Sequence, residues 1–101
     1  MTGEQYWKMK KASAATVLAA ALQRDVPQND LQTAAQGFVD SVFGETYPYG
    51  LVLTDSETVA ISRAMIICEA ASHMSANVSM ADALTLAASY ADMWFPDVLG
   101  A

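Results

Sequence analysis

Two capping boxes, Thr2 with Gln5 and Thr54 with Glu57, stand 52 residues apart, and each opens a long segment free of proline and, after Gly3, of glycine. In such a box the threonine hydroxyl accepts from the amide three residues on, while the Gln or Glu side chain reaches back to the threonine amide, so two orphaned helix N–H groups are satisfied together. The boxes therefore commit both segments to helix, predicted over 3–23 and 55–76. Asp25-Val26-Pro27 ends the first, because proline lacks an amide hydrogen and pushes Val26 out of helical angles. Asn77 ends the second.

Two shorter helices follow these breaks. Asn29 with Gln32 is read as the cap of the second helix, in which Leu31, Ala34, Ala35, Phe38, Val39 and Val42 recur at helical spacing. Gly44 suits its C-terminal end, where a positive φ is needed. Ser79 with Asp82 caps the fourth helix, and Leu84, Ala87, Ala88, Ala91, Trp94 and Phe95 form its apolar stripe up to Pro96. Leu51 to Leu53 has no second extended run to pair with, so 44–54 is read as an ordered loop. The predicted fold is all-α: a small four-helix bundle of two αα-hairpins, long-short and long-short, in a single domain spanning 1–101. A shift of 52 residues aligns the halves, pairing Thr2 with Thr54, Asp30 with Asp82, Ala35 with Ala87 and Asp40 with Asp92, which suggests a duplication.

Composition bears on how such a bundle is held. Apolar residues make up 53% of the chain, but nineteen are alanines, so the core depends on a few large side chains. Val59, Ile61, Met65, Ile66, Ile67, Cys68 and Met74 cover most of the third helix, more than three alanine-rich neighbours would bury. A homodimer through that helix is the expectation. The net charge is −6, with an excess of +3 in residues 1–24 and −9 in the remainder. The basic start with its alanine run superficially resembles a secretory leader, yet Glu4 interrupts the basic part and only Val17, Leu18 and Leu22 are strongly apolar. No run has the apolar length of a membrane span. A single cysteine fits a reducing compartment, so a cytoplasmic location is expected.

Residues suited to catalysis are few. His73 and Cys68 are single and lie about 140° apart on a helix, too far round for a nucleophile and its base. Glu69 and His73 share a face, but zinc needs more ligands than these. No phosphate-binding glycine loop and no nucleophile elbow occurs. The expectation is no enzyme, no cofactor, no metal, no membrane and no direct nucleic-acid binding.

The aromatic residues point elsewhere. Trp7, Phe38 and Phe43 fall on helical stripes and read as core. Tyr47 and Tyr49 flank Pro48 outside those stripes, where rigid amphipathic rings make a contact surface or a lid on the core. Tyr47, Tyr49, Trp94 and Phe95 are the expected partner contacts, with Lys8, Lys10 and Lys11 as steering charges. The function expected is a small regulator or inhibitor that docks on a larger protein and blocks its activity or assembly. The alternative is an acidic nucleic-acid mimic that occupies the site of a DNA- or RNA-binding complex.

Overall fold

A computed structural model describes residues 1–94, with Trp94 placed by its backbone alone, so the Trp94 side chain and Phe95 lie outside the described residues. Both capping boxes form. Gln5 N–H donates to the Thr2 hydroxyl at 3.2 Å and Thr2 N–H to Gln5 Oε1 at 2.8 Å; the Thr54 and Glu57 bonds measure 3.2 and 2.9 Å. They open α1 (Gly3–Leu22) and α3 (Asp55–Met74). Matching turns close both helices, with Gln23 N–H on Ala19 O and Ser75 N–H on Ala71 O.

The expected Asn29 cap does not form. Asp30 N–H instead donates to the Pro27 carbonyl at 2.9 Å, closing a 3₁₀ turn (Gln28–Asp30) that leads directly into α2 (Leu31–Phe43). Asp30, at the entry to α2, already has near-helical angles, so its side chain cannot reach forward as a cap in extended conformation would. At α4 (Met80–Trp94) the expected cap is present, with Asp82 N–H on the Ser79 hydroxyl at 3.2 Å. Gly44 closes α2 at φ +91°, where a side chain would be strained.

The long helices α1 and α3 are central and run side by side in the same direction. Their starts share one cavity, lined by Thr2 and Thr58, and at their far ends Arg24 reaches the Ser72 carbonyl and Ser75 hydroxyl, both at 3.4 Å. Each carries its own short partner, α2 on α1 and α4 on α3, while α2 and α3 touch more lightly. This is the predicted pair of αα-hairpins, without strands among the described residues. Leu18, Val39, Ile61 and Cys68 are wholly enclosed between the helices. Burying each of the three aliphatic side chains contributes about 1.5–3 kcal/mol, far more than an alanine methyl.

The two hairpins share the caps of their long helices, but at the 52-residue offset only the short helices keep the same packed face. At the 52-residue offset Leu31, Ala35 and Val39 of α2 match Ala83, Ala87 and Ala91 of α4, all buried. On the long helices that same offset pairs buried Ala14 with Ile66, which is 45% exposed. There the buried residues match at an offset of 50 instead, Ala14 with Ala64, Leu18 with Cys68 and Ala21 with Ala71. Two residues turn a helix by about 200°, so α1 and α3 present different faces to the core.

The apolar surplus also falls elsewhere than expected. Within one chain α3 buries Ile61, Ala64, Ile67, Cys68 and Ala71 and partly covers Met65, Ala70 and Met74, leaving Ile66 as its large exposed apolar residue. The place of α3 between α1 and α4, with α2 lightly against it, covers that surface within one chain. The excess instead lies on α2, whose stripe is wider than its contact with α1: Leu31, Ala35, Val39 and Phe43 are buried, while Ala34, Phe38 and Val42 are only half-buried. Those three form one i, i+4 row facing α4 across open space.

Candidate functional site

That open space is the first candidate site. Because α2 packs on α1 and α4 on α3, the short helices face each other across a groove made of two adjoining cavities of about 590 and 450 Å³. Phe38, Leu84 and Ile67 supply an apolar floor. Thr33, Gly37 and Ser41 line one wall and Ala81, Thr85 and Ser89 the other, each row at i, i+4 and i+8. The groove measures about 16 Å along α4 from Ala81 to Asp92 at 1.5 Å per residue. At one end Arg63 Nη2 donates to Asp92 Oδ1 at 2.6 Å, while Arg63 Nε is buried without a hydrogen-bond partner.

The second candidate is the loop 44–54, held down by Lys11. The Lys11 side chain is only 11% exposed; its Nζ lies 2.6 Å from Asp40 Oδ1, donates to the Gly44 carbonyl at 2.6 Å and sits 4.6 Å from the Trp7 ring centre. One ammonium thus joins α1, the end of α2 and the start of the loop. It also satisfies a C-terminal carbonyl of α2 and sits where that helix dipole favours a cation. The ammonium and a Gln36 amide bond hold the Asp40 carboxyl below the ordinary carboxylate range.

Beyond this anchor the aromatic rings stack edge to face, Trp7 on Tyr47 and Tyr47 on Tyr49, each with centres 5.7 Å apart. Tyr47 donates to the Gly50 carbonyl, and its hydroxyl is pushed up in pKa by burial and then by the Glu57 and Glu4 carboxylates. Gly3 N–H donates to Leu51 O at 2.9 Å, tying the start of α1 to the same loop. The outcome is a rigid tip that leaves Leu51 and Val52 75% and 81% exposed beside a depression of about 280 Å³ lined by Met1, Tyr6 and Leu53.

The predicted contact residues are therefore divided. Tyr47 and Tyr49 meet each other, half-buried, with Tyr47 against Trp7, and serve as a lid on this end of the core. Lys11 is neutralised inside the chain and has no free charge for steering. Lys8 pairs with Glu4 at 3.3 Å on the surface, and Lys10 lies 5.6 Å from the Tyr6 ring centre. Arg24 donates to the Ala21 carbonyl at 3.2 Å and to the end of α3. Of the four bases in residues 1–24 only Lys11 is largely enclosed; Lys8 and Arg24 are exposed, as are Asp25, Asp30, Glu45, Asp55, Glu69 and Asp82.

Cys68 is fully buried, and burial pushes its thiol up to about 12, so it remains a protonated apolar group at neutral pH. Glu69 and His73 are exposed, and the described residues contain no group of three side chains suited to a metal ion. No helix among the described residues is long and apolar enough to cross a membrane. The groove residues Thr33, Gly37, Thr85, Ser89 and Arg63 were not singled out by sequence reasoning. Their signal was the surplus width of the α2 stripe, legible only once the neighbour of each helix is known. No protein family, curated protein or solved structure matches the chain.

Proposed function

We propose that this protein is a binding module that docks on a larger protein partner and blocks its activity or assembly. The observation that supports the reading is the α2–α4 groove, an apolar cleft with small-residue walls that the chain itself leaves unfilled. Tyr49, with the exposed Leu51 and Val52, is a second contact area, prearranged by the Lys11 anchor so that little ordering cost falls on binding. A cytoplasmic location accords with the free, buried Cys68. Affinity capture from the native host with wild type, Gly37→Leu and Tyr49→Ala tests the reading. A stoichiometric protein partner lost with either variant supports it; recovery of no partner, or equal recovery by all three, overturns it.

Acidic nucleic-acid mimicry is a second reading, favoured by the exposed carboxylates Asp25, Asp30, Glu45, Asp55, Glu69 and Asp82. It requires that nucleic acid displace the partner and that affinity fall steeply with salt. Self-association is a separate proposal, resting on the exposed Ile66 of α3 and on Leu86, Tyr90 and Met93 of α4. Sedimentation equilibrium tests it directly: a monomer at all concentrations eliminates it.

A further inference from the structure

We propose that copies of this chain stack head to tail, the free face of α3 in one copy taking the free face of α1 in the next, so that the packing of α1 on α3 repeats between copies. This rests on the self-association reading and assigns its geometry. The long helices are equal in length, Gly3–Leu22 and Asp55–Met74, so the 52-residue offset matches them position for position from cap to end. They run in the same direction, yet Trp7, Ala14, Leu18 and Ala21 are buried while Val59, Ile66, Ala70 and His73, their equivalents, are not. The buried faces lie about 200° apart. A two-fold pairing would bring the same face of both helices together. A separation near a half-turn means translation instead: α1 meets α3 with its front and α3 meets α1 with its back, as successive units of a helical repeat do.

Translation leaves one unmatched face at each end. The front of α3 carries Val59, Ile66 and Ala70 in the places of Trp7, Ala14 and Leu18, and Ile66 is 45% exposed. On α4, the exposed Leu86 and Tyr90 stand in the places of Ala34 and Phe38, the α2 row that looks toward α4. At the other end, the back of α1 carries Met9, Ala12, Thr16 and Ala19 in the places of Ile61, Ala64, Cys68 and Ala71, which α3 buries within the chain. That row has no charged side chain, and the Thr16 hydroxyl already donates to the Ala12 carbonyl at 3.0 Å. Terminal units of a helical array turn a polar outer face to water. Along these two rows neither end does. A second copy supplies what each end lacks, because the back of its α1 holds the register equivalents of the face that covers α1 inside the chain.

Sedimentation equilibrium of the full chain tests this with Ile66→Lys on the front of α3 and Ala12→Lys on the back of α1. Both positions are exposed, so circular dichroism should match wild type. Wild type should grow past two copies with rising concentration, because a head-to-tail contact leaves one face of each kind free at every stage. Each variant alone should associate at least about tenfold more weakly, since every contact would then bury an unpaired ammonium. An equimolar mixture should regain one strong contact, between the front of α3 in Ala12→Lys and the back of α1 in Ile66→Lys, and stop at a heterodimer. A wild-type dimer that Ala12→Lys leaves intact overturns the stacking and leaves self-association standing through a symmetric contact. An associating wild type whose mixed variants stay monomeric does the same. A wild type that is monomeric at all concentrations overturns both.

Discussion

Two Gly→Ala substitutions, both in helices, should move stability in opposite directions. A methyl group added to Gly37 meets nothing within 4 Å. Replacing an exposed mid-helix glycine by alanine removes backbone freedom from the unfolded chain and stabilises by about 0.8–1 kcal/mol. At Gly3 the same methyl would lie 3.0 Å from the Gly50 carbonyl oxygen and 3.0 Å from Leu53 Cγ, and closer still to the Tyr47 hydroxyl. Neither the carbonyl, which belongs to the loop backbone, nor Tyr47, stacked between Trp7 and Tyr49, has room to withdraw. Overpacking of this kind costs about 1–3 kcal/mol, and the propensity gain at a first helical position does not offset it. With an unfolding entropy near 2.1 cal/mol/K per residue, 1 kcal/mol corresponds to about 5 °C for a chain this size. Gly37→Ala should therefore raise Tm by about 4–5 °C and Gly3→Ala lower it by about 5–15 °C, followed by circular dichroism at 222 nm. Shifts of the same sign would refute the placement of the loop against α1.

Lys11→Met keeps the aliphatic stem but removes the bond to the Gly44 carbonyl and the charge over Trp7. It should destabilise by about 2 kcal/mol and speed hydrogen exchange across 44–54, and unchanged exchange there would discount the anchor. Asp40, whose native pKa lies below the ordinary aspartate value of 3.8, contributes stability present above that value and lost as pH falls through the native one. In melts from neutral to acid pH, the deficit of Asp40→Asn relative to wild type should hold at neutrality and shrink below pH 3.8; a constant deficit contradicts the ion pair. Cys68, buried and with its thiol at about 12, should resist a disulfide reagent in the native state and react quickly in denaturant. Rapid native labelling would place the thiol at the surface.

Helix identity was largely legible in the chain because it depends on local chemistry. A threonine followed three residues later by glutamine or glutamate satisfies helix amides without help from any distant residue, and both boxes form where the sequence has them. The Asn29 cap failed for an equally local reason, since the 3₁₀ turn after Pro27 gives the Leu31 amide, which an Asn29 cap could have held, to the Gln28 carbonyl. The candidate site was less legible. Tyr47 and Tyr49 stood out by lying off the helical stripes, but nothing local showed that Lys11 would be consumed beneath them, 33 residues from Gly44. Its spacing made it look like a free base.

The sequence by itself determined four helices of alternating length, the turns that separate them and the positive-φ glycine after α2. Each follows from caps, breakers and periodicity within a few residues. Only the tertiary structure decided which helices are neighbours, and with that which part of each stripe is covered. Placing α1 beside α3 buries the apolar surface of α3 within one chain and leaves the second row of the α2 stripe open toward α4. Periodicity reports how wide a stripe is; partner geometry decides which part of it remains free to bind.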